Sequence, residues 1–270
     1  MQHASPDLLC QRDSLDPARA TALNVSLGRE EPIHAGDPLP PFFHQVYFWD
    51  PKVASDLGRD GHPKVGGLIP DMQLPRRMWA GGRLQFHRAL VAGQTAQKQS
   101  RCVAHERKIG RSGPLGLVTL RHDFHQSSDL CVTEWQNLVY RAEQNAQLNV
   151  PVPPIARADE TVAHCVDFTS TALFRYSALT FNGHRIHYEL PYAQDVEGYD
   201  GLVVHGPLLA QLLILFAEKE LGILSGFSFR ATAPLMHFEI AELCCSGTDL
   251  WVRGPDGRQC MTAKAELTSS

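Results

Sequence analysis

The stretch Gly206–Leu221, GPLLAQLLILFAEKEL, decides how the rest of the chain must fold. Pro207 falls in a first helical turn, where its missing N–H costs nothing, and Gly222 stands just past the last turn, so both ends of a helix are marked. Between them Leu208, Leu209, Leu212, Leu213, Leu215 and Phe216 leave almost no polar face. A helix that is apolar nearly all round must be surrounded by protein. A membrane span is excluded, because the apolar run Leu202–Ala217 is broken by His205, Gly206, Pro207 and Gln211 and falls short of the roughly 20 residues that a bilayer requires.

C-terminal to this helix, strands are expected at Gly226–Ala233, Phe238–Cys245, Asp249–Arg253 and Gln259–Leu267, the last two joined by Gly254-Pro255-Asp256-Gly257, whose Asp-Gly step is a strong hairpin signal. A buried helix followed by antiparallel strands calls for a sheet wrapped around a helix, the hot-dog arrangement. N-terminal to it, the readable signals are a polar turn at Asn182–His187 and a helical stretch near Pro191–Glu197, then a proline-rich linker at Asn145–Pro154. The first half reads as a helix over Ser5–Gly28, a loop-rich region over Glu31–Pro75 where eight prolines forbid a long helix, and strands at Arg83–His87, Ala92–Ala104, Leu115–His122 and Leu130–Arg141 with a turn at Gly110–Gly113. The expected fold is α+β, a double hot dog with two antiparallel sheets each wrapped around a helix, divided into residues 1–148 and 149–270.

Composition narrows the function classes. With 43% hydrophobic and 20% charged residues among 270, the chain can fill a proper core, and disorder, collagen and coiled coil are excluded. A formal charge of -4 lacks the positive excess that draws proteins to phosphate backbones or acidic lipid, so neither nucleic acid nor a membrane is an expected partner. Residues 1–16 carry acids and a proline in place of a hydrophobic leader, and the expected location is the cytoplasm. Seven cysteines without a C-x-x-C pair suit neither a disulfide framework nor a zinc ribbon, and they read as reduced core residues.

The block Tyr176–Leu209, YSALTFNGHRIHYELPYAQDVEGYDGLVVHGPLL, is the most informative for chemistry. Ile186-His187, Gly198-Tyr199 and Val203-Val204-His205-Gly206 resemble the signature of MaoC-like (R)-specific enoyl-CoA hydratases, whereas Asn182 stands where that signature has Asp, and His184-Arg185 replaces its Asn-Pro. The combination is similar to a subgroup, the hydroxyacyl-thioester dehydratase type 2 proteins and mesaconyl-C4-CoA or itaconyl-CoA hydratases. The first half carries the likeness too, in Leu39-Pro40-Pro41, DGHP at Asp60–Pro63, PRRMWAGG at Pro75–Gly82, KIGRSG at Lys108–Gly113 and VYR at Val139–Arg141. The resemblance implies a hydro-lyase acting on a coenzyme A thioester, with a C5 dicarboxylic acyl group as the leading substrate and itaconate degradation as the setting. Coenzyme A is then part of the substrate and no separate cofactor is expected; a homodimer is the expected assembly.

Adding water to an enoyl thioester requires a base for the water proton, an acid for the α-carbon and a donor for the thioester oxygen as it gains enolate charge. His187 titrates in the right range for the first. Asn182 can orient water or imidazole but cannot itself be a base, and the same residue at this position suits an Asx turn. The N–H of Gly206, at a buried helix N-terminus beside His205, is the candidate oxyanion donor. Arg185 and His184 are candidate substrate contacts, Arg185 for a free carboxylate. Arg76, Arg77 and Arg83 are candidates for the coenzyme A phosphates and Trp79 for its adenine, against the plainer readings of solvated charges and a core tryptophan. The H-x-x-H pairs His184/His187 and His122/His125 lack helical i, i+4 spacing and an obvious third ligand, so no metal is expected. Two other readings of the same residues stay open: a thioesterase on the same fold, and a non-catalytic acyl-CoA-binding module suggested by Asn182.

Overall fold

The computed structural model describes residues 8–110, 113–142 and 152–268. Among these residues ten strands form one antiparallel sheet. In the first half, β1 (Leu9–Asp13) precedes helix α1 (Pro17–Ser26), and after a long loop come β2 (Arg76–Phe86), β3 (Ala96–Gly110), β4 (Gly113–Gln126) and β5 (Asp129–Arg141). The second half has β6 (Val162–Val166), α2 (Ser170–Thr180), α3 (Gly206–Leu221), β7 (Leu224–Ala231), β8 (Ala241–Ser246), β9 (Asp249–Arg253) and β10 (Gln259–Leu267). Across the sheet the order is β1-β3-β4-β5-β2-β7-β10-β9-β8-β6. Read outward from the β2/β7 junction, the two halves follow the same plan, strand for strand. The junction is a regular antiparallel ladder from Gly81 opposite Arg230 to Gln85 opposite Gly226.

Helix α3 lies where its composition demands. Leu208, Leu209, Leu213, Ile214 and Phe216 are buried, and the helix packs on β7, β8, β9, β10 and β2. Burying each such side chain is worth about 1.5 to 3 kcal/mol. The double hot-dog class stands, with two refinements. The two sheets join into one, and among the described residues the first half has no second helix of α3's length. Its sheet is covered instead by Leu39–Phe48, whose Phe42, Phe43, Val46 and Phe48 are buried and pack with Phe124, Cys131 and Val132 in one core that runs through both halves. Buried Glu134 holds this segment down, receiving hydrogen bonds from His44 Nε2 at 3.0 Å and Gln45 Nε2 at 3.1 Å. Gln211 of α3 donates to Pro41 O at 3.1 Å, tying helix and segment together.

Several local expectations need correction. The helix expected over 5–28 is shorter: Asp16 caps it by accepting from Ala18 N at 2.9 Å, Pro17 opens it, and Leu9–Asp13 forms an edge strand on β3. Residues 5–7 lie outside the described residues. Strand β2 begins at Arg76, seven residues before the expected Arg83, and β3 runs on to Gly110. The helical stretch expected near 191–197 is present, as a short wide helix over Tyr192–Val196. Helix α2, which the hydrophobic pattern does not announce, is capped by the Thr169 hydroxyl accepting from Ala172 N at 3.1 Å. The C-terminal hairpin forms as expected, with Gly257 at φ +78° in its turn. The Arg111-Ser112 turn, most of the linker (145–151) and the 148/149 division lie outside the described residues; Pro154 O accepts from Gln259 N at 2.7 Å. Cys131, Cys244, Cys245 and Cys260 are buried free thiols, while Cys10 and Cys165 are exposed. Among the described residues no helix is long and apolar enough to cross a membrane.

Candidate active site

Two segments, one from each half, meet to make the site. The first is the turn after α2. Phe181 takes the left-handed conformation at φ +52°, Asn182 N–H returns to Ser177 O at 2.8 Å, and Asn182 Oδ1 accepts from His184 N at 3.0 Å. That is an Asx turn, and it places His184 and His187 at the start and end of the tight helical turn Arg185–His187. The turn is then locked to the residues before α3: Val203 N–H donates to Ile186 O at 3.0 Å, and His187 Nδ1 donates to Val203 O at 2.7 Å.

The second segment is Gly58–Pro63 from the loop-rich region. Its Asp60 O accepts from Arg185 N at 2.9 Å, and its Arg59 O accepts from Arg185 Nη1 at 2.9 Å. The approach is so close that a Cβ on Gly61 would stand 2.0 Å from Gly183 O, and one on Gly183 would stand 2.6 Å from Gly61 O. Gly61 also sits at φ +87°, so glycine is required there on both counts.

This contact sets four imidazoles in a row. His62 lies 4.4 Å from His184, His184 5.3 Å from His187, and His187 3.7 Å from His205, centroid to centroid. His62 Nδ1 donates to Asp60 Oδ2 at 2.9 Å. At the other end His205 is fully buried, with Nε2 2.8 Å from Ser177 Oγ. Burial lowers the pKa of all four rings, His187 to about 4, so near neutral pH they are uncharged. Burial opposes ionisation of Asp60, but its hydrogen bond to His62 and the charge interaction with that ring outweigh this and hold the carboxyl below its usual range.

The tautomers follow from the partners. A carbonyl or carboxylate can only accept, so Nδ1 carries the proton in both His187 and His62, and each Nε2 keeps its lone pair. Neither Nε2 has a hydrogen-bond partner among the described residues. The site thus holds two oriented neutral bases, one backed by a carboxylate and one by a backbone carbonyl. Ser177 and Asn182 open onto a small apolar pocket of about 220 Å³ that Phe174, Phe181 and Tyr188 also line. Gly206 begins α3 next to His205, and its amide makes no hydrogen bond among the described residues.

The expected site residues divide. Asn182, His184, His187, His205 and Gly206 do come together. Arg185 is adjacent, but its guanidinium is held by Glu189 in a bidentate pair at 2.7 and 2.6 Å and lies over the Tyr192 ring, so it does not face the imidazoles as a free cation. Arg76 is tied to Glu197 at 2.7 Å, and exposed Arg83 lies 3.7 Å from Glu266. Trp79 is half-buried and packs against Phe42 and Phe229, with Nε1 donating to Gly81 O at 2.9 Å. Arg77 is half-buried on β2 near the site. Asp60 and His62 are the residues that reading for chemistry passes over; the signal is the Asp-Gly-His spacing, whose glycine permits the close approach. Asp60, His62 and His184 also bring ligand-type atoms within 4.8 Å of one another, a set able to hold a cation. Of the two H-x-x-H pairs, His184/His187 lies in the row, whereas His122 is hydrogen-bonded to Ser100 and Gln136 inside the first half.

The chain is similar to known proteins in sequence and in fold. The sequence model of the family described as hydroxyacyl-thioester dehydratase type 2 matches residues 42–237. A mesaconyl-C(4)-CoA hydratase from Chloroflexus aurantiacus is 44% identical over 239 residues, covering 86% of this chain and 85% of that protein. A mitochondrial hydroxyacyl-thioester dehydratase type 2 from Schizosaccharomyces pombe is 29% identical, covering 79% and 80%. Among solved structures, a Mycobacterium tuberculosis protein described as a double hotdog fold superposes with a TM-score of 0.59 at 16% identity, covering 97% and 95%; that likeness bears on the fold alone.

Proposed function

Because the chain belongs to the hydroxyacyl-thioester dehydratase type 2 family and is a hydratase/dehydratase, we propose that it hydrates a C5 dicarboxylic enoyl-CoA, mesaconyl-C4-CoA in first place, to citramalyl-CoA. The observation that carries the reading is the pair of neutral imidazoles, His62 and His187, each with Nδ1 engaged and Nε2 bare, at the junction of the two halves. Water addition needs a proton taken from water and a proton given to the α-carbon, and an oriented imidazole with a bare Nε2 can take the first and, once protonated, supply the second.

In this mechanism Nε2 of His187 accepts the water proton as the oxygen attacks the β-carbon. The thioester oxygen gains charge and is met by the Gly206 N–H at the positive end of α3. His187, now an imidazolium, then gives that proton to the α-carbon and is neutral again, while Asp60 stabilises positive charge on the imidazole row through His62. Asn182, its Oδ1 occupied by the turn, has its amide NH₂ left to orient the water. Dehydration is the reverse. Mesaconyl-C4-CoA suits this path because its double bond is conjugated with the thioester, whereas itaconyl-CoA must first move its double bond. The supporting relative is the mesaconyl-C(4)-CoA hydratase, whose substrate class is that of its own name. The reading includes the homodimer and the cytoplasmic location expected from the sequence; light scattering on the purified protein tests the first, and fractionation of cells the second.

A panel of acyl-CoA thioesters separates this from its alternatives. Loss of enoyl absorbance with formation of citramalyl-CoA is the expected result. Release of free thiol instead means hydrolysis, and binding without turnover means a non-catalytic module; either outcome removes the proposal.

A further inference from the structure

A C5 dicarboxylyl thioester brings a negative charge into a site walled by neutral imidazoles, and that charge needs a partner. In mesaconyl-C4-CoA the free carboxylate is attached to the β-carbon, the atom that water attacks, so its cation has to stand within a few ångströms of the base. Arg185, the sequence's first choice, is neutralised by Glu189. On β2, Arg76 is paired with Glu197 and Arg83 lies beside Glu266. Arg77 differs from all three: no carboxylate among the described residues comes within ion-pair distance of it.

Strand geometry aims Arg77 at the site. It stands opposite buried Tyr140 in the β2/β5 ladder, so both side chains leave the same face of the sheet. Trp79, two residues on and therefore on that face also, packs into the core against Phe42 and Phe229. The backbone oxygen of Trp79 lies 3.6 Å from where a Cβ on Gly206 would stand, which brings β2 alongside the start of α3. One strand repeat, about 7 Å, separates Trp79 from Arg77. The positive charge of Arg77 is also felt by His62 and His184, where it adds to burial in disfavouring protonation.

Resting on the substrate class argued above, we propose that Arg77 binds the free carboxylate of the dicarboxylyl-CoA substrate and so selects that class over monocarboxylic enoyl-CoAs. A half-buried guanidinium offers a carboxylate two parallel N–H bonds, and charged hydrogen bonds of this kind are the strong ones.

The test compares kcat/KM for mesaconyl-C4-CoA and for crotonyl-CoA, which has the same conjugated thioester without the carboxylate, in wild type, R77Q and R77K. The expected result is a mesaconyl-to-crotonyl ratio that falls about tenfold to a hundredfold in R77Q and is partly restored in R77K. An equal loss on both substrates assigns Arg77 to the thioester or coenzyme A and overturns the proposal, as does an unchanged ratio. Should wild type itself show no preference for mesaconyl-C4-CoA, the substrate class fails; a wild-type preference that R77Q retains condemns Arg77 alone. R77K keeps the comparison available if R77Q does not fold.

Discussion

The rings of His187 and His205 stack with centroids 3.7 Å apart and planes 20° apart. Face-to-face stacking of two neutral imidazoles holds His187 by its flat side, while the hydrogen bond from Nδ1 to Val203 O fixes its edge. With face and edge both set, Nε2 is aimed before substrate arrives, the preorganisation that general-base catalysis rewards.

Replacing His187 by Gln is expected to leave a folded protein that has lost hydration about 100- to 10,000-fold. Steady-state turnover on mesaconyl-C4-CoA, with thermal unfolding alongside, checks it. A variant working above a tenth of the wild-type rate excludes His187 as the base.

Acid should unfold the protein over a defined window. His187 is pushed down to about 4 by burial, while in the unfolded chain histidine titrates near 6.5. Its neutral form is the one the fold accepts, so this stabilisation is complete above pH about 6.5 and is lost as pH falls through the folded value near 4; the unfolded state binds the proton first. The loss is on the order of 3 kcal/mol across that window. Chemical denaturation between pH 7.5 and 4.5 measures it, and H187Q should show a shallower pH dependence than wild type. Equal slopes would contradict the assignment.

Gly61→Ala is expected to destabilise the loop contact and depress turnover together, because the new Cβ would collide with Gly183 O, a backbone atom that cannot rotate away. A positive φ adds a strain of about 1 kcal/mol for alanine. Retention of both wild-type stability and activity would show that the Gly61/Gly183 contact does not position Asp60 and His62.

Gly206 separates access from packing. A Cβ there would meet only Trp79 O, at an ordinary 3.6 Å, so Gly206→Ala should fold normally. Gly206→Val should lower turnover per folded molecule strongly by blocking approach to the amide, the loss of one oxyanion donor being worth about 3 to 4 kcal/mol of barrier. Full specific activity in the folded valine variant would remove the oxyanion role. Pro207→Ala should cost only a little helix stability.

The parts of the molecule written in local patterns were legible. Helix α3 carries its own boundaries and its own demand for burial, and Asp249–Arg253 and Gln259–Leu267 were readable to the residue because an Asp-Gly turn sets their register. His187, His205 and Gly206 stand close together along the chain, so one quoted block located most of the second half's contribution. Asp60 and His62 were hidden because more than a hundred residues separate them from His184, and only the Gly61/Gly183 approach joins them. The partner of Arg76, Glu197, is 121 residues away and is chosen by the fold, whereas Glu189 stands only four residues after Arg185, a local pairing that the sequence already offered. Leu9–Asp13 looked helical because a five-residue edge strand has too few residues to establish an alternation.

The mirrored strand order has an evolutionary reading. In an assembly of two identical chains every mutation is made twice, and any site on the twofold axis must be built from equivalent residues. Here the two equivalents lie on one chain, with β2 and β7 at the axis, and each copy is free to diverge. The second half carries the long helix with His205 at its head; the first half covers its sheet with Leu39–Phe48 and contributes the Asp60–His62 loop. Having both halves on one chain thereby permits a single asymmetric centre in which a carboxylate-backed imidazole from one half shares a row with a carbonyl-backed imidazole from the other, a division of labour that a symmetric pair cannot encode.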